Sequence, residues 1–228
     1  MTDPRPLPCP TLTDGVVSLR VPARADVPEI VAACDDPEMA RWTRLPSPYT
    51  HADAVAFVDL QDAHRAAGTD LVVLVFDAAA SRPFVGEVGL HGISDGDAEI
   101  GYWTAAWARG RGLTTRAVRL LVEWGIAELG LERVEWAGIV GNEASRRVAE
   151  KVGFQVVGTL RAVTLQPGRR AHLWVGDLLP ADLTAQQAPD DQRGRRLECS
   201  DTLAERVLRC IRRPVDRLRS WPGFARRS

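Results

Sequence analysis

The sequence predicts one mixed α/β or α+β domain over residues 10–180. One observation is that short apolar runs, bounded by Gly, Pro, Asn and Asp, alternate with longer segments whose apolar residues recur every three to four positions. A second is that three strands follow one another directly mid-chain, whereas helices connect the strands after residue 112. The composition, 45% hydrophobic and 26% charged, is that of a globular protein and excludes collagen, a coiled coil and a wholly disordered chain.

The chain before residue 105 is predicted to contain strands and two helices. Residues 16–21 alternate between apolar and polar positions as a strand that Pro22 ends. Asp26 caps a helix that runs to Cys34, and residues 51–67 have the apolar face of a second helix. Three further strands, joined by polar turns, form an antiparallel meander at 71–76, 84–93 and 98–104.

The chain after residue 112 is predicted to alternate helices with strands. Residues 113–129 have apolar side chains at helical spacing, and Gly130 ends this helix. A strand at 133–140 leads to a short helix at 142–152, which ends at Gly153. A hairpin completes the domain, with strands at 154–165 and 171–178 around a type II turn at Pro167 and Gly168.

Charge divides the chain into two segments. Residues 192–228 contain eleven Arg and four acidic residues, a formal charge of +7, so the remaining 18 basic and 26 acidic residues carry −8. We therefore predict a domain at 1–181 and an extension at 182–228, formed by a polar linker, placed at 184–196, and a basic amphipathic helix. Charge complementarity favours docking of the extension on the acidic domain, and the alternatives are a partner protein, a membrane surface or nucleic acid.

Several classes of protein are excluded by what the sequence lacks. The first residues include no apolar stretch after their charges, so no secretory signal is expected. The longest apolar run, 71–76, is too short to cross a bilayer. The cysteines and histidines lack metal-ligand spacing, so we expect a reducing, cytoplasmic location and no bound metal. These residues are Cys9, Cys34, Cys199, Cys210, His51, His64, His91 and His172. The sequence leaves open whether the chain forms a homodimer.

A glycine-rich turn, Arg109-Gly110-Arg111-Gly112, joins a strand to the long helix. The two glycines accept left-handed backbone conformations, so successive N–H groups can point into one concavity. The helix start adds free N–H groups and a positive dipole end, and the two arginines add charge. The turn is therefore suited to binding a pyrophosphate. It is not a P-loop, because no Gly-Lys-Ser/Thr follows.

Three motifs occur in order: Ala-Glu-Ile-Gly-Tyr-Trp at 98–103, Arg-Gly-Arg-Gly-Leu at 109–113, and the segment 142–154. Together they resemble the Gcn5-related N-acetyltransferase (GNAT) superfamily and, within it, the RimJ/RimL-like branch, which the opening segment 19–26 also fits. The resemblance covers roughly residues 10–180. It implies the GNAT fold, in which a mixed, mostly antiparallel central sheet with flanking helices opens in a V-shaped splay between two parallel strands.

This resemblance implies that acetyl-CoA binds in the splay and that the acceptor is a primary amine. Backbone groups of one parallel strand would pair with the pantetheine arm, and the amides of the glycine-rich turn would hold the pyrophosphate. Acetyl would pass directly from the thioester to the amine, without a covalent enzyme intermediate. The residues implied in acetyl-CoA binding are Tyr102, Trp103, Thr104, Arg109, Gly110, Arg111, Gly112, Leu113, Thr114, Asn142 and Ser145.

Two positions depart from the family pattern. Thr114 stands where the family's phosphate loop usually has Gly or Ala, and its β-branched side chain restricts that approach. Ala149 stands where many relatives have a Tyr that protonates the leaving thiolate. The resemblance makes Ser145 the substitute acid, with protonation by solvent as the alternative.

The base implied by the resemblance is Glu99, whose position matches the glutamate of the histone-acetylating relatives. Glu87 and His91 share one face of the preceding strand and are alternative bases. The RimJ/RimL-like branch makes a protein N-terminal amine the first acceptor to consider, followed by a small-molecule amine or an aminoglycoside. The predicted substrate loops are 35–50 and 166–170. A non-catalytic acyl-CoA-binding regulatory module is the alternative of another class.

Overall fold

The computed structural model describes residues 5–166 and 168–187. Eight strands form one sheet in the spatial order β1-β2-β3-β4-β5-β6-β8-β7. The strands are β1 (Leu12–Thr13), β2 (Val17–Arg20), β3 (Leu71–Asp77), β4 (Phe84–Ser94), β5 (Asp97–Thr104), β6 (Arg133–Ile139), β7 (Gln155–Gln166) and β8 (Arg169–Leu178). The helices are α1 (Val27–Cys34), α2 (Pro37–Trp42), α3 (His51–Ala67), α4 (Leu113–Leu129), α5 (Glu143–Val152) and α6 (Pro180–Gln187).

Neighbouring strands pair antiparallel throughout the sheet, except β5 and β6, which are parallel. Their pairing begins at Asp97 and Arg133 and ends at Ile100 and Trp136. Beyond Ile100, β5 continues to Thr104 with β4 as its pairing partner within the described residues. The two parallel strands therefore splay apart, and this mixed, mostly antiparallel sheet with flanking helices confirms the predicted fold class.

Helices cover both faces of the sheet, and the alternation along β5 assigns its side chains to one face or the other. Ala98 and Ile100 are buried in the core cluster that also contains the apolar face of α4. Trp103 is buried in the opposite cluster, with residues of α1 and α3. Because Glu99 alternates in phase with Trp103, it lies on the α1–α3 face. Tyr102 lies on the α4 face, where it packs against the first cluster.

Local signals set the ends of the two long helices. Thr50 and Asp53 form a capping box at the start of α3, where the Thr50 hydroxyl accepts from the Asp53 N–H at 3.2 Å. Gly68 ends α3 in the left-handed conformation. Helix α4 lies between Gly112 and Gly130, both of which are also left-handed. The structure confirms the sequence predictions for these two helices.

Three elements were not predicted from the sequence. Strand β1 has only two residues, too few to show a period. Helix α2 forms in a proline-rich stretch, where the Asp36 carboxylate accepts from the Glu38 N–H at 3.0 Å. Helix α6 extends to residue 187, so the predicted start of a linker at Thr184 is wrong. A polar helix lacks apolar periodicity, and its start is marked instead by Asp182, which accepts from the Leu179 N–H at 2.9 Å.

Several predictions concern residues outside the described part of the chain. Pro167 of the predicted turn and the basic segment 192–228 lie there, so docking of the extension stays a prediction, as do the domain boundary and a homodimer. Among the described residues, no helix combines the length and apolar character needed to cross a bilayer. The same residues include no group of three or more His, Cys, Asp or Glu side chains arranged to hold a metal ion.

Candidate active site

The splay leaves one edge of β5 open near the end of the strand. Residues 101–104 pair with β4 on one side, and on the other side no strand of the described structure pairs with them. An extended ligand can therefore add to this edge through main-chain hydrogen bonds. Tyr102, Trp103 and Thr104, which the resemblance assigns to pantetheine, form this open edge.

The glycine-rich turn forms a concavity at the start of α4, and a 3-10 helix at Ala106–Ala108 connects it to the end of β5. Gly110 and Gly112 have φ values of 76° and 75°, which residues with a side chain rarely adopt. Apart from the chain neighbours, no heavy atom of the described residues lies within 4 Å of the position that a Cβ would take on either glycine. No side chain of the described residues caps α4, so the N–H groups of its first turn, beginning at Leu113, are available to an anionic ligand.

Two arginines border this concavity and are held by carboxylates. The Arg109 guanidinium donates to Asp36 at the start of α2 and, through Nε, to the Thr104 carbonyl at 3.2 Å. Arg111 Nη2 donates to Asp77 Oδ2 at 2.5 Å. Both arginine side chains remain about half exposed, with 41% and 47% of their area accessible. Because a guanidinium has five N–H groups, each can hold its carboxylate and still contact a phosphate.

Thr114, the departure from the family's phosphate loop, turns its side chain into the protein. Its hydroxyl lies 2.5 Å from the hydroxyl of Thr104, and the residue is only 8% exposed. This bond ties the start of α4 to the end of β5. The β-branched side chain therefore leaves the concavity open, and its hydroxyl is engaged within the protein.

The start of α5 brings three predicted residues together. Asn142 Oδ1 accepts from the Ser145 N–H at 3.1 Å and caps the helix. Ser145 Oγ lies 3.3 Å from the Tyr102 hydroxyl, which itself donates to the Ser145 carbonyl at 2.8 Å. Burial raises the pKa of the Tyr102 phenol. The sequence assigned only the backbone of Tyr102, yet its side chain spans the space between β5 and α5.

The opposite face of the sheet carries the three candidate bases. Glu99 of β5 is partly exposed and is paired in register with His91 of β4. Glu87 is only 4% exposed and accepts a hydrogen bond from the Trp103 indole at 2.6 Å. Burial raises the pKa of Glu87. Burial also raises the pKa of the neighbouring Cys34 thiol to about 12, with a contribution from the Glu87 charge. Glu87 is therefore enclosed, whereas Glu99 is accessible.

The two predicted substrate loops meet beside this face. Gln166 Nε2 donates to the Arg44 carbonyl at 2.7 Å. Arg169 donates to the Thr43 carbonyl at 2.8 Å, and to two further carbonyls at the end of α2. Such contacts satisfy carbonyl groups that a helix end leaves without partners. The sequence indicated both loops but neither their mutual contact nor the role of Arg169.

One aromatic and one basic residue of the first loop, Trp42 and Arg44, lie beside the candidate site. Burial lowers the pKa of the Arg44 guanidinium, while the charge of Glu99 opposes this shift. Arg44 therefore lies close enough to Glu99 for their charges to interact. Trp42 of α2 reaches across to Gly141, where a Cβ would lie 3.8 Å from the indole Cη2. Loop 35–50 thus extends from the face of the sheet that carries Glu99 to the turn that precedes Asn142.

Comparison with known proteins identifies the family to which the chain belongs. Residues 17–155 match the family model of the acetyltransferase (GNAT) domain. The chain belongs to the GNAT acetyltransferase family. This confirms the resemblance noted from the three sequence motifs.

Relatives and solved structures agree with this assignment. The putative ribosomal N-acetyltransferase YdaF of Bacillus subtilis is 42% identical over 78 residues, which cover 33% of this chain and 43% of YdaF. The probable N-acetyltransferase YjcK of the same species is 39% identical over 90 residues, 38% of this chain and 49% of YjcK. The chain thus spans about half the length of these curated relatives. Mycobacterium smegmatis RimJ, solved in complex with CoA-disulfide, shares the fold with a TM-score of 0.67 at 21% identity, over 74% of this chain and 84% of RimJ.

Proposed function

We propose that the protein transfers the acetyl group of acetyl-CoA directly to a primary amine. The observation that carries this proposal is the open edge of β5, which a short 3-10 helix at Ala106–Ala108 connects to the glycine concavity at the start of α4. A main-chain edge followed by a helix N-terminus suits a ligand with an amide-containing arm and a pyrophosphate. Acetyl-CoA combines these two features with an activated acyl group.

The residues of the β5 edge and the following turn would bind this cosubstrate. Backbone groups of 102–104 pair with the pantetheine amides, and the N–H groups of 110–114 surround the pyrophosphate. Arg109 and Arg111 add charge-assisted hydrogen bonds at its border. Acetyl-CoA supplies the activated acyl group, whereas the protein supplies orientation and the movement of protons.

Glu99 is the proposed base that deprotonates the acceptor ammonium. A neutral amine is needed for attack, and a partly exposed carboxylate can take its proton directly or through one water. Glu87 is less suited as the base, because it is enclosed and already accepts a hydrogen bond from the Trp103 indole N–H. His91 adjoins Glu99 across the strand pair and is the second candidate.

Ser145 is the proposed acid that protonates the departing thiolate. A serine hydroxyl is a weak acid, and that of Ser145 donates to the Tyr102 phenol oxygen at 3.3 Å, while the phenol proton is donated to the Ser145 carbonyl. Solvent therefore returns the proton that Ser145 gives to the thiolate, and direct protonation of the thiolate by solvent is the alternative. Asn142 fixes the helix start from which Ser145 projects.

A protein N-terminal amine is the acceptor that we propose first. The support is the similarity to YdaF, a putative ribosomal N-acetyltransferase, and the presence of two loops, 35–50 and 166–170, that border the Glu99 side of the sheet. A small-molecule amine, including an aminoglycoside, is the alternative. Loop residues rather than the shared fold decide between these classes.

An acceptor panel tests the proposed function. The protein is incubated with acetyl-CoA, a reagent for free thiols, and peptides with varied N-terminal residues, polyamines or aminoglycosides. Thiol release that requires a peptide supports N-terminal acetylation, and release that requires a small amine supports the alternative. Saturable binding of CoA without turnover on any amine supports a non-catalytic module. If acetyl-CoA neither binds nor raises the Tm, the proposal is wrong.

Arg169→Ala is expected to raise the KM for the acceptor by about tenfold, because the variant loses several hydrogen bonds worth about 1 kcal/mol each. The end of α2 then loses the contacts that fix loop 35–50, while the acetyl-CoA site is untouched. Initial rates at varied acceptor concentration, with the Kd for acetyl-CoA by calorimetry, measure the effect. Arg161→Ala is the matched control, because Arg161 is an exposed arginine of the neighbouring strand β7 and lies outside both loops. Equal KM values for the two variants would show that this contact does not shape the acceptor site.

A further inference from the structure

One stretch of loop 35–50 bridges the splay. At its start, the indole Cη2 of Trp42 is 3.8 Å from the position that a Cβ would take on Gly141, just beyond the end of β6. At its end, Tyr49 is buried in the α1–α3 cluster together with Trp103, which belongs to the open edge of β5. The residues between 42 and 49 therefore cross from one splayed strand to the other on the α1–α3 face of the sheet.

Two arginines meet in this bridging segment. Arg44 is half-buried, and its carbonyl accepts a hydrogen bond from Gln166 Nε2 at 2.7 Å. Arg169 is also half-buried and reaches in from the β7–β8 hairpin, where its Nη1 donates at 2.8 Å to the carbonyl of Thr43, the residue next to Arg44. The hairpin therefore holds the two arginines beside each other.

The charges at this place are two positive and one negative. Burial lowers the pKa of the Arg44 guanidinium, the charge of Glu99 opposes this shift, and the charge of Arg169 adds to it. Within the described structure, the Arg169 guanidinium donates to backbone carbonyls and not to a carboxylate. Two like charges in a half-buried site destabilise each other, and an anion bound beside them offsets that cost.

The Arg169 guanidinium has N–H groups left for such an anion. Its contacts with the end of α2 use N–H groups of Nη1 and Nη2, whereas a guanidinium has five N–H groups in all. Its Nε–H makes no hydrogen bond to the described residues. A planar guanidinium with two adjacent N–H groups matches the two oxygens of a carboxylate.

We infer that Arg44 and Arg169 form an anion subsite of the acceptor site, so that the preferred acceptor carries a carboxylate close to its amine. The inference rests on the proposed function. An ammonium alone brings a third positive charge to two guanidinium groups and one Glu99 carboxylate. An acceptor that also has a carboxylate brings no net charge, because its ammonium faces Glu99 and its carboxylate faces the arginines. The subsite thereby selects against polyamines and aminoglycosides, which carry several positive charges and no carboxylate.

Two kinds of acceptor supply this chemistry. One is a polypeptide whose first residue has an acidic side chain, and the other is a free amino acid with its α-carboxylate. Both place a carboxylate within a few bonds of a primary amine, so the experiment includes one pair of acceptors for each.

Matched acceptors that differ in one charge test the inference. The first pair is the peptide amides Asp-Ala-Ala and Asn-Ala-Ala, and the second is alanine and alaninamide. Values of kcat/KM are compared on the plateau of the pH–rate profile, where differences in amine pKa do not contribute. We expect the carboxylate-bearing member of at least one pair to be preferred by about tenfold or more, as for a hydrogen bond to a charged group. The pair that shows the preference identifies the source of the carboxylate.

Arg44→Gln tests which residue recognises the carboxylate, because the amide is polar and lacks the charge. We expect the preference to fall to about one, mainly through a lower kcat/KM for the carboxylate-bearing member. Arg44→Lys should retain part of the preference, because the ammonium keeps the charge without the planar pair of donors. Arg161→Gln is the matched control, since it alters an exposed arginine of β7, and it should keep the whole preference.

Equal kcat/KM values within both pairs overturn the inference and leave the transferase intact. If Arg44→Gln slows both members of a pair to the same extent, the inference is also wrong, because Arg44 then acts on Glu99 and not on the acceptor. If no amine is acetylated, the proposed function fails, and calorimetric titration of the four acceptors into the protein with CoA decides on the subsite. Tighter binding of a carboxylate-bearing member supports it, whereas equal binding or none overturns it.

Discussion

Replacing Glu99 by Gln is expected to reduce kcat by about 10²–10⁴-fold, the range in which a positioned general base contributes. The amide has the size of the carboxylate but cannot take the proton of the acceptor ammonium. Glu99 lies on the α1–α3 face of β5, away from the concavity at the start of α4, so the Kd for acetyl-CoA should be unchanged. Initial rates across pH and calorimetric titration with acetyl-CoA measure the two quantities separately.

Glu87→Gln is the control for this variant. Glutamine keeps an oxygen that can accept the Trp103 indole proton, so the hydrogen bond of 2.6 Å has a replacement. We expect kcat to change little, because Glu87 is enclosed. If Glu87→Gln loses as much activity as Glu99→Gln, the base assignment is wrong. An unchanged pH–rate profile in Glu99→Gln would likewise remove Glu99 as the base, whatever the size of its effect.

The parts of the fold that the sequence predicted well depend on local signals. The ends of α3 and α4 follow from a capping box at Thr50 and from glycines whose left-handed backbone ends or begins a helix. The glycine-rich turn is equally local, since its chemistry depends on Gly110 and Gly112 and on the helix that follows. Such features need no knowledge of which segments later meet.

The contacts that complete the candidate site join residues that are distant in the sequence. The periodic spacing of apolar residues predicts helices and strands, but it does not predict such contacts. Arg169 lies 126 residues from Thr43, whose carbonyl it contacts. Tyr102 and Ser145 are 43 residues apart, and their hydroxyl groups meet only because α5 docks beside the splay. Alternation along β5 places Tyr102 on the correct face, but the position of α5 is a property of packing. Asp70 lies in the turn between α3 and β3, where neither the helical nor the strand period applies, so the sequence does not indicate that its carboxylate lies 3.1 Å from His91 Nδ1.

Replacing Gly112 by Ala is expected to raise the Kd for acetyl-CoA at least about tenfold, which corresponds to about 1.4 kcal/mol of lost binding free energy. The residue begins α4 with a φ of 75°, where a side chain costs about 1–2 kcal/mol of backbone strain. Apart from its chain neighbours, no described residue has a heavy atom within 4 Å of the new Cβ. The methyl group is therefore not expected to clash with the described part of the protein, and it enters the space from which, in the proposed function, backbone N–H groups contact the pyrophosphate.

Gly130→Ala separates strain from ligand contact. Gly130 ends the same helix with a φ of 67°, and its Cβ position is likewise more than 4 Å from every described residue other than its chain neighbours. The two variants should therefore lose similar stability in thermal unfolding, whereas only Gly112→Ala should weaken acetyl-CoA binding in calorimetry. If both variants keep the affinity of the unsubstituted protein, the concavity at the start of α4 is not the pyrophosphate site. If both lose affinity equally, the loss arises from a strained α4, because Gly130 lies at the end of the helix remote from the β5 edge.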